Sequence, residues 1–314
     1  MDLYPLTFRP VYKETIWGGR NLDRLFGRDL PAGKLIGESW ELADLDQGVS
    51  VAANEGSLKG QTLTDLTRNL GSQLLGGAAP TADGRFPLLL KFLDANDTLS
   101  LQVHPDRQAV AAIPGAALKT ECWYVLESRG GFIYKGVQPG VTAAMFRRAV
   151  ADNMVAELLQ RFDVAEGDFH YLPAGTVHAL GKGVVVAEVQ TPSDTTYRVT
   201  DWGRGREIHV EQSMQCIRFD QECDAPGANG PTLLATEFFR VDRHRLAHAE
   251  EFALAGGNCR AIMLLSGRAT IGYEGAADPL PKLYAGDTVL LPAALASPSV
   301  QAIEPATFLD ITLP

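Results

Sequence analysis

Four polar residues, spread over three short segments of the sequence, could together bind a divalent metal ion. His104, Glu121 and His178 offer two imidazoles and a carboxylate, and Gln102 offers a fourth donor through its side-chain oxygen. Such a set suits a borderline ion, and three protein ligands with open positions are typical of catalytic rather than structural sites. Zinc fits this set. Two histidines and one carboxylate are also the ligands of non-haem Fe(II) oxygenases, so the ligand types leave the metal open.

The positions of these residues indicate which elements carry them. If the segment from Ser100 to His104 is a strand, Ser100, Gln102 and His104 lie on one face, because side chains alternate along a strand. A polar face backed by apolar residues predicts a barrel interior that holds something hydrophilic, with a half-exposed edge strand as the alternative interpretation. Lys119 and Glu121 share a face by the same rule, a pattern that by itself is most typical of a solvated strand end.

Short strands dominate the middle of the chain. Segments that are aromatic or β-branched and bounded by glycine or proline predict strands at residues 122–126, 131–134, 169–172 and 184–189. Two other segments have the helical spacing of apolar residues. Residues 62–75 open with a capping-box pattern, Thr62-x-x-Asp65, and form one predicted helix. Residues 142–162 form a predicted helical insertion in a β-rich domain.

A gap-free internal repeat indicates a duplicated barrel. Residues 167–178 align with residues 286–297, and glycine, aspartate, leucine, proline and alanine recur at five matched positions. We therefore predict a mainly β protein built from two jelly-roll-like barrels. Ser297 stands in the second copy where His178 stands in the first, so a metal site is expected in the first copy alone.

Length and composition narrow the class of protein. The chain has 314 residues, of which 46% are hydrophobic and 21% charged, so it is globular and long enough for two domains or one duplicated unit. We predict a catalytic unit at residues 1–222 and a second unit at residues 223–314.

The net charge of −10 argues against nonspecific binding to nucleic acid or to an anionic membrane, so an anionic substrate needs a local basic pocket. The four cysteines lie far apart, which argues against a disulfide framework.

The sequence predicts neither a leader nor a membrane span. Its N-terminus lacks a basic stretch followed by an apolar one, and no apolar run approaches the ~18 residues of a spanning helix. We therefore expect a cytoplasmic protein whose partner is a small molecule, with no nucleic-acid or membrane partner. The oligomeric state is not predicted.

Several short motifs carry a resemblance to a known family. The Gly-x5-Pro-x-Gly-x2-His run at residues 167–178 resembles the second signature of cupin barrels. The chain as a whole resembles the type I mannose-6-phosphate isomerases in their short bacterial form. Six matches occur in order: Trp-Gly-Gly at 17–19, Gly-Glu-Ser-Trp-Glu at 37–41, Leu-Ser-Leu-Gln-Val-His-Pro at 99–105, Lys-Thr-Glu at 119–121, Pro-Ala-Gly-Thr-Val-His at 173–178 and Ser-Asp-Thr-Thr-Tyr-Arg at 193–198.

This resemblance implies a zinc-dependent interconversion of mannose 6-phosphate and fructose 6-phosphate. It places the ligands of one Zn²⁺ per chain on Gln102, His104, Glu121 and His178. It also makes Arg198 the active-site arginine, and it assigns further pocket positions to Ser100, Lys119 and Glu188. The second barrel is then a degenerate, metal-free copy.

The chemistry of that reaction leaves several roles open. A proton moves between C1 and C2 of the open-chain sugar through an enediol, and the candidate acceptors are Lys119, Glu188 and a water held by the zinc. Arg198 or Arg204 could hold the phosphate by paired hydrogen bonds, with Lys91 or Ser100 adding a charge or a hydroxyl donor. The alternatives to an isomerase are an Fe(II)-dependent cupin oxygenase and a non-catalytic bicupin that binds sugar phosphates.

Overall fold

The structure, a computed structural model, describes residues 3–221, 223, 230–276 and 280–314. Its strands are β1 (Leu6–Thr7), β2 (Val11–Gly19), β3 (Ile36–Leu42), β4 (Asp44–Leu45), β5 (Gly48–Val49), β6 (Leu89–Ala95), β7 (Leu101–Val103), β8 (Glu121–Ser128), β9 (Phe132–Val137), β10 (Leu159–Asp163), β11 (Phe169–Leu172), β12 (His178–Leu180), β13 (Val184–Gln190), β14 (Tyr197–Thr200), β15 (Thr232–Ala235), β16 (Arg240–Leu246), β17 (Glu251–Ala253), β18 (Arg260–Ser266), β19 (Arg268–Gly272), β20 (Lys282–Tyr284), β21 (Thr288–Leu291), β22 (Ser299–Ala302) and β23 (Ala306–Thr312). Its helices are α1 (Asn21–Phe26), α2 (Leu63–Leu70), α3 (Ser72–Leu75), α4 (Arg107–Ala112), α5 (Ala143–Ala151), a 3₁₀ turn (Val155–Leu158) and α6 (Val210–Cys216). None of the described helices is both long and apolar enough to cross a membrane.

The strands form two barrels of the same topology. The N-terminal barrel pairs a sheet of order β11-β8-β13-β6-β3-β2 with one of order β10-β9-β12-β7-β14. The C-terminal barrel pairs a sheet of order β1-β21-β18-β23-β16-β15 with one of order β20-β19-β22-β17. Strands β6 to β13 therefore correspond one to one, in chain order, with β16 to β23. The predicted mainly β, duplicated architecture is confirmed.

The two barrels pack against each other through the outer faces of their six-stranded sheets. One large apolar cluster joins Phe92 and Val189 of the N-terminal barrel to Met263 and Leu309 of the C-terminal barrel, and Leu66 of α2 covers its side. The barrel interiors hold separate apolar clusters. Burying each such leucine or phenylalanine contributes about 1.5–3 kcal/mol, so the shared cluster holds the two barrels together.

The N-terminal segment belongs in part to the second barrel. Leu6 of β1 pairs with Leu290 of β21, so the beginning of the chain adds an edge strand to the C-terminal sheet. The predicted division between residues 222 and 223 lies where residues 222 and 224–229 fall outside the described part, and it stays a prediction.

Local sequence explains where the predicted helices end. The Thr62 hydroxyl accepts from the backbone N–H of Asp65, as the capping box predicts, and α2 stops at Gly71, whose φ is +50°. The predicted insertion is helical only in its first part. Residues 159–162 are strand β10, which pairs with β9, and the helical prediction is wrong there. The apolar spacing is ambiguous over so short a run, and pairing with a neighbouring strand decides it.

Candidate metal centre and active-site cavity

A cavity of about 230 Å³ opens at the mouth of the N-terminal barrel. It brings together one predicted metal ligand, Gln102, and most of the predicted catalytic and substrate-binding residues, namely Arg198, Lys119, Ser100, Lys91 and Glu188. The lining residues are Trp17, Glu38, Trp40, Lys91, Leu93, Leu99, Ser100, Gln102, Lys119, Glu188, Asp194, Thr196, Arg198 and Arg206.

Three buried side chains beside this cavity converge on one point. Glu121 begins β8, His178 begins β12, and His104 directly follows β7. Nε2 of His178 lies 3.1 Å from Oε1 of Glu121, and Nε2 of His104 lies 3.5 Å from Oε2. One donor atom from each residue lies within 4.8 Å of the others, so a single ion could contact all three.

The backbone orients both imidazoles toward that point. Nδ1 of His104 lies 2.9 Å from the carbonyl oxygen of Thr195, and Nδ1 of His178 lies 2.9 Å from that of Thr176. A carbonyl only accepts hydrogen bonds, so each Nδ1 carries a proton and each ring turns its Nε2 toward Glu121. This is the second layer of support that metal-binding histidines usually have.

The polar atoms at the centre fit a metal ion better than they fit each other. Nε2 of His104 and both oxygens of Glu121 are buried without a well-oriented hydrogen bond from any described residue. Burial, with the nearby Lys119 charge, lowers the pKa of His104 to about 3, so its ring is neutral. Burial raises the pKa of Glu121, but the Lys119 ammonium, 3.0 Å from Oε2, together with the His104 and His178 rings outweighs burial and holds that pKa well below its usual range.

Gln102 reaches the same centre from the neighbouring strand. It lies directly opposite His178 in the pairing of β7 with β12, and its amide nitrogen is 3.2 Å from Nε2 of His178. Rotation of the amide by 180° exchanges its nitrogen and oxygen, so the side chain can present an oxygen donor in the same place. The four predicted ligands are therefore neighbours in the fold.

A row of charged residues crosses the floor of the cavity. Glu188 on β13 lies opposite Lys91 of β6 on one side and Trp123 of β8 on the other. The Lys91 ammonium is 3.2 Å from Glu188 and 3.3 Å from Glu38, and the Trp123 indole N–H donates to Glu188 at 2.7 Å. Burial, reinforced by the Glu121 carboxylate, raises the pKa of Glu188. The two carboxylates outweigh burial at Lys91 and raise the pKa of its ammonium.

Two arginines face the cavity from its opposite wall. Arg198 lies opposite Gln102 in the pairing of β14 with β7, and its Nε is buried without a described hydrogen-bond partner. Burial and the charge of Arg206 lower the pKa of Arg198. Arg206 is held by two hydrogen bonds to Asp201, of 3.0 and 2.6 Å. Arg204 also bonds Asp201 and donates to the Thr98 carbonyl, but it does not line the cavity.

Sequence reasoning missed part of this wall. Glu38 and Trp40 on β3 and Arg206 after β14 line the cavity, although none was a predicted site residue. Alternation along residues 37–41 could have found the first two, since it puts a carboxylate and an indole on one strand face. No local signal distinguishes Arg206 from Arg204, because the loop through Asp201 decides which of them enters the cavity.

The matching positions of the C-terminal barrel carry different chemistry. Strand pairing puts Arg260 where Glu121 stands, Phe252 where Gln102 stands and Val300 where His178 stands. The gap-free alignment of His178 with Ser297 is therefore wrong, because the loop before β22 is longer than the one before β12. An arginine and two apolar side chains offer no metal ligand.

Known proteins share this sequence and fold. The family model of the phosphomannose isomerase type I catalytic domain matches residues 6–128. The mannose-6-phosphate isomerase of Streptococcus mutans is 34% identical over 302 residues, which span 92% of each chain. The chain belongs to the type I mannose-6-phosphate isomerases.

Further comparisons place it within that family over most of its length. A mannose-6-phosphate isomerase of Bacillus subtilis is 42% identical over 231 residues, or 69% of each chain. The crystal structure of the mannose 6-phosphate isomerase from Bacillus subtilis superposes with a TM-score of 0.87 at 30% identity, covering 98% of this chain and 99% of that one. The family likeness therefore includes both barrels, and the chain is an isomerase.

Proposed function

We propose that this chain is a zinc-dependent isomerase that interconverts mannose 6-phosphate and fructose 6-phosphate through an enediol. One observation carries the proposal: a buried His104, Glu121 and His178 cluster adjoins a cavity with two arginines, and Nε2 of His104 and both Glu121 oxygens lack a well-oriented hydrogen bond from any described residue. Family membership supports the reaction, and the donor set supports the ion.

His104, Glu121, His178 and Gln102 would hold one Zn²⁺ per chain. When bound there, zinc supplies Lewis-acid polarisation of a sugar oxygen at C1 or C2 without a change of oxidation state. The carbonyl oxygens of Thr195 and Thr176 keep both imidazoles in the tautomer that such an ion needs.

Lys119 and Glu188 are the residues that would move the proton between C1 and C2. Both line the cavity, and both lie near Glu121. The raised pKa of Glu188 brings a carboxylate closer to the working pH of a general base. Lys119 holds its ammonium beside Glu121 and can stabilise negative charge that develops on the sugar oxygens.

The arginine wall suits the phosphate and the developing enediolate. Arg198 lies opposite Gln102 and so near the candidate metal site, whereas Arg206 is anchored by Asp201. We therefore assign Arg198 to the transition state and Arg206, with the Ser100 hydroxyl, to the phosphate. A protein of net charge −10 attracts a dianion through such a local arrangement.

The floor of the cavity suits sugar hydroxyls. Lys91 and Glu188 present buried charged groups at one end, Glu38 adds a half-buried carboxylate, and the Trp40 ring closes the side. Buried polar groups of this kind discriminate strongly against ligands that leave them unpaired, so the floor selects the hexose.

One experiment tests this function against its rivals. The purified protein is assayed with mannose 6-phosphate before and after removal of its metal by a chelator, and again after zinc or Fe(II) is restored. We expect isomerisation that is lost on chelation and restored by zinc, with no oxygen consumed. Oxygen uptake with Fe(II) would indicate the cupin oxygenase, and sugar-phosphate binding without turnover would indicate the non-catalytic bicupin.

A second experiment assigns the proton acceptor. Isomerisation of mannose 6-phosphate in deuterated water labels C1 of fructose 6-phosphate, the carbon that receives the proton, and the label is compared in Lys119→Ala and Glu188→Gln. The residue whose loss abolishes the label, while mannose 6-phosphate still binds, is the base. The cytoplasmic location, the small-molecule partner and the absence of nucleic-acid and membrane partners stay predictions.

A further inference from the structure

We propose that Arg28 is a positioning residue through which the C-terminal barrel holds the cavity wall in place. Its guanidinium joins the turn before β21 to strand β3, whose other face lines the cavity. This inference rests on the proposed function for its kinetic part, and it gives the metal-free barrel a role in the reaction of the other.

The contacts of Arg28 span both barrels. Its guanidinium donates to the Ser39 hydroxyl at 2.6 Å and to both oxygens of Glu41 at 2.7 and 2.8 Å. The same group donates to the carbonyl oxygen of Gly286, in the turn between β20 and β21. The side chains of Arg28 and Glu41 are only 11% and 3% exposed, so water competes little for these bonds. We call these four residues the Arg28 bridge.

Strand β3 carries the bridge on one face and the cavity on the other. Ser39 and Glu41 alternate with Glu38 and Trp40, so the two pairs point to opposite sides of the sheet. Glu38 and Trp40 line the cavity and are tied together, because the Trp40 indole donates to Glu38 at 2.7 Å. A shift of β3 toward or away from the C-terminal barrel therefore moves both cavity residues.

The C-terminal side of the bridge is a close contact. Gly286 has a φ of +91°, and a side-chain carbon added there would lie 2.5 Å from the Phe26 ring. That ring packs on Phe92 at 4.9 Å between centroids, and the Arg28 guanidinium lies 5.2 Å from the Phe92 centroid. Phe92 neighbours Lys91 of the cavity floor along β6. The turn thus presses on the back of two strands that line the cavity.

A paired variant removes the bridge without leaving a buried charge. Replacing Arg28 by Met and Glu41 by Leu together removes the ion pair and the bond to Gly286, and apolar side chains often replace a buried ion pair without loss of stability. The matched control is Arg260→Met with Asp310→Leu. That pair is equally buried, with 2.6 Å between its charged atoms, but it lies inside the C-terminal barrel.

Hydrogen exchange of the β3 amides and steady-state kinetics are measured on both variants, each with its zinc content and folded fraction determined. In the Arg28 variant we expect faster exchange over residues 36–42 and a KM for mannose 6-phosphate raised about tenfold, with a smaller change in kcat. The control variant should match the wild type in both. Arg28→Lys keeps a charge beside Glu41 but lacks the second nitrogen that reaches Gly286. Its β3 exchange rates and its KM should lie between those of the wild type and those of the paired Arg28 variant.

Two results overturn the inference. In the first, the paired Arg28 variant folds, and its β3 exchange and its KM are the same as in the wild type. If the paired variant does not fold, the same result in Arg28→Lys overturns the inference. In the second, the Arg260 control variant changes β3 exchange and KM as much as the Arg28 variant does, which would mean that losing any buried ion pair loosens the whole protein. If the wild type does not isomerise mannose 6-phosphate, the proposed function fails, and the exchange comparison still decides whether Arg28 positions β3.

Discussion

Nε2 of His178 lies 3.1 Å from Oε1 of Glu121, although the two residues begin strands in different sheets of the N-terminal barrel. The other ring nitrogen of His178 donates to the Thr176 carbonyl, so in the neutral ring the close approach joins two atoms that carry lone pairs. Two such atoms repel each other unless a proton or a cation lies between them. A divalent ion held by His178 and Glu121 would remove this repulsion.

We expect metal analysis of the purified protein to find about one equivalent of zinc per chain, because one barrel holds a complete donor set. His178→Ala should lose the metal and the activity while circular dichroism shows a largely intact fold, since each barrel has its own apolar core. His244→Ala is the control, because that ring stacks between Phe252 and Phe308 in the C-terminal barrel. Two equivalents in the wild type, or one retained by His178→Ala, contradict the assignment.

Arg198 and Arg206 should separate in their kinetic effects. In the role that we propose for it, Arg198 stabilises charge that develops on the sugar oxygens, so in Arg198→Ala kcat and kcat/KM should fall together by about 10²–10³-fold. Arg206→Ala should instead raise KM, because the phosphate contact that we propose for Arg206 is made equally in the ground and transition states. Arg268→Ala, on the C-terminal barrel, is the control. A large rise in KM with kcat intact in Arg198→Ala would make Arg198 the phosphate anchor.

His170 should make the protein sensitive to acid. The ring is 1% exposed, and burial, with the charge of Lys135, lowers its pKa to about 4. The His170 ring therefore takes up a proton near pH 6.5 in the unfolded chain but only near pH 4 in the folded chain. The free energy of unfolding falls as the pH drops through this window, by up to about 3 kcal/mol.

This pH dependence can be tested by replacing the His170 ring. His170→Phe keeps the shape and removes the titration, so urea unfolding should show a smaller loss of stability between pH 7 and pH 4.5 than the wild type shows. Equal losses in the two proteins would mean that other groups cause the acid sensitivity.

Gly286→Ala should destabilise the protein more than Gly33→Ala does. Both glycines have positive φ, of +91° and +72°, so each substitution costs about 1 kcal/mol of backbone strain. Only Gly286 also meets a neighbour, since the added carbon would lie 2.5 Å from the Phe26 ring, whereas nothing lies within 4 Å at Gly33. Overpacking adds about 1–3 kcal/mol, which urea unfolding can measure. Equal losses of stability in the two variants would show that the turn at Gly286 shifts to accept the added carbon.

Much of the fold and of the candidate metal centre could be predicted because the signals are local. Alternation along a strand put Gln102 and His104 on one face, and the glycine and proline of the turn before His178 marked the end of β11. The predicted strands at residues 122–126 and 184–189 lie within β8 and β13. Each of these inferences depends on backbone geometry that a few neighbouring residues set.

The errors lie where distant contacts outweigh local pattern. Residues 159–162 have helical spacing, yet backbone pairing with β9 makes them a strand. Ser297 aligns with His178 in the sequence, but a longer loop shifts Val300 into that place. Such loop lengths do not alter the matched motif, so the alignment carries no sign of the shift.

Residue types and alternation in the chain alone specify a duplicated β architecture, the four candidate ligands and the strand faces that carry them. The depth of burial that neutralises His104, the choice of Arg206 over Arg204 and the contact of Arg28 with Gly286 arise only when the barrels assemble. The physical reason is the separation along the chain over which each effect acts. Strand alternation acts between adjacent residues, whereas desolvation and ion pairing depend on which distant groups come together.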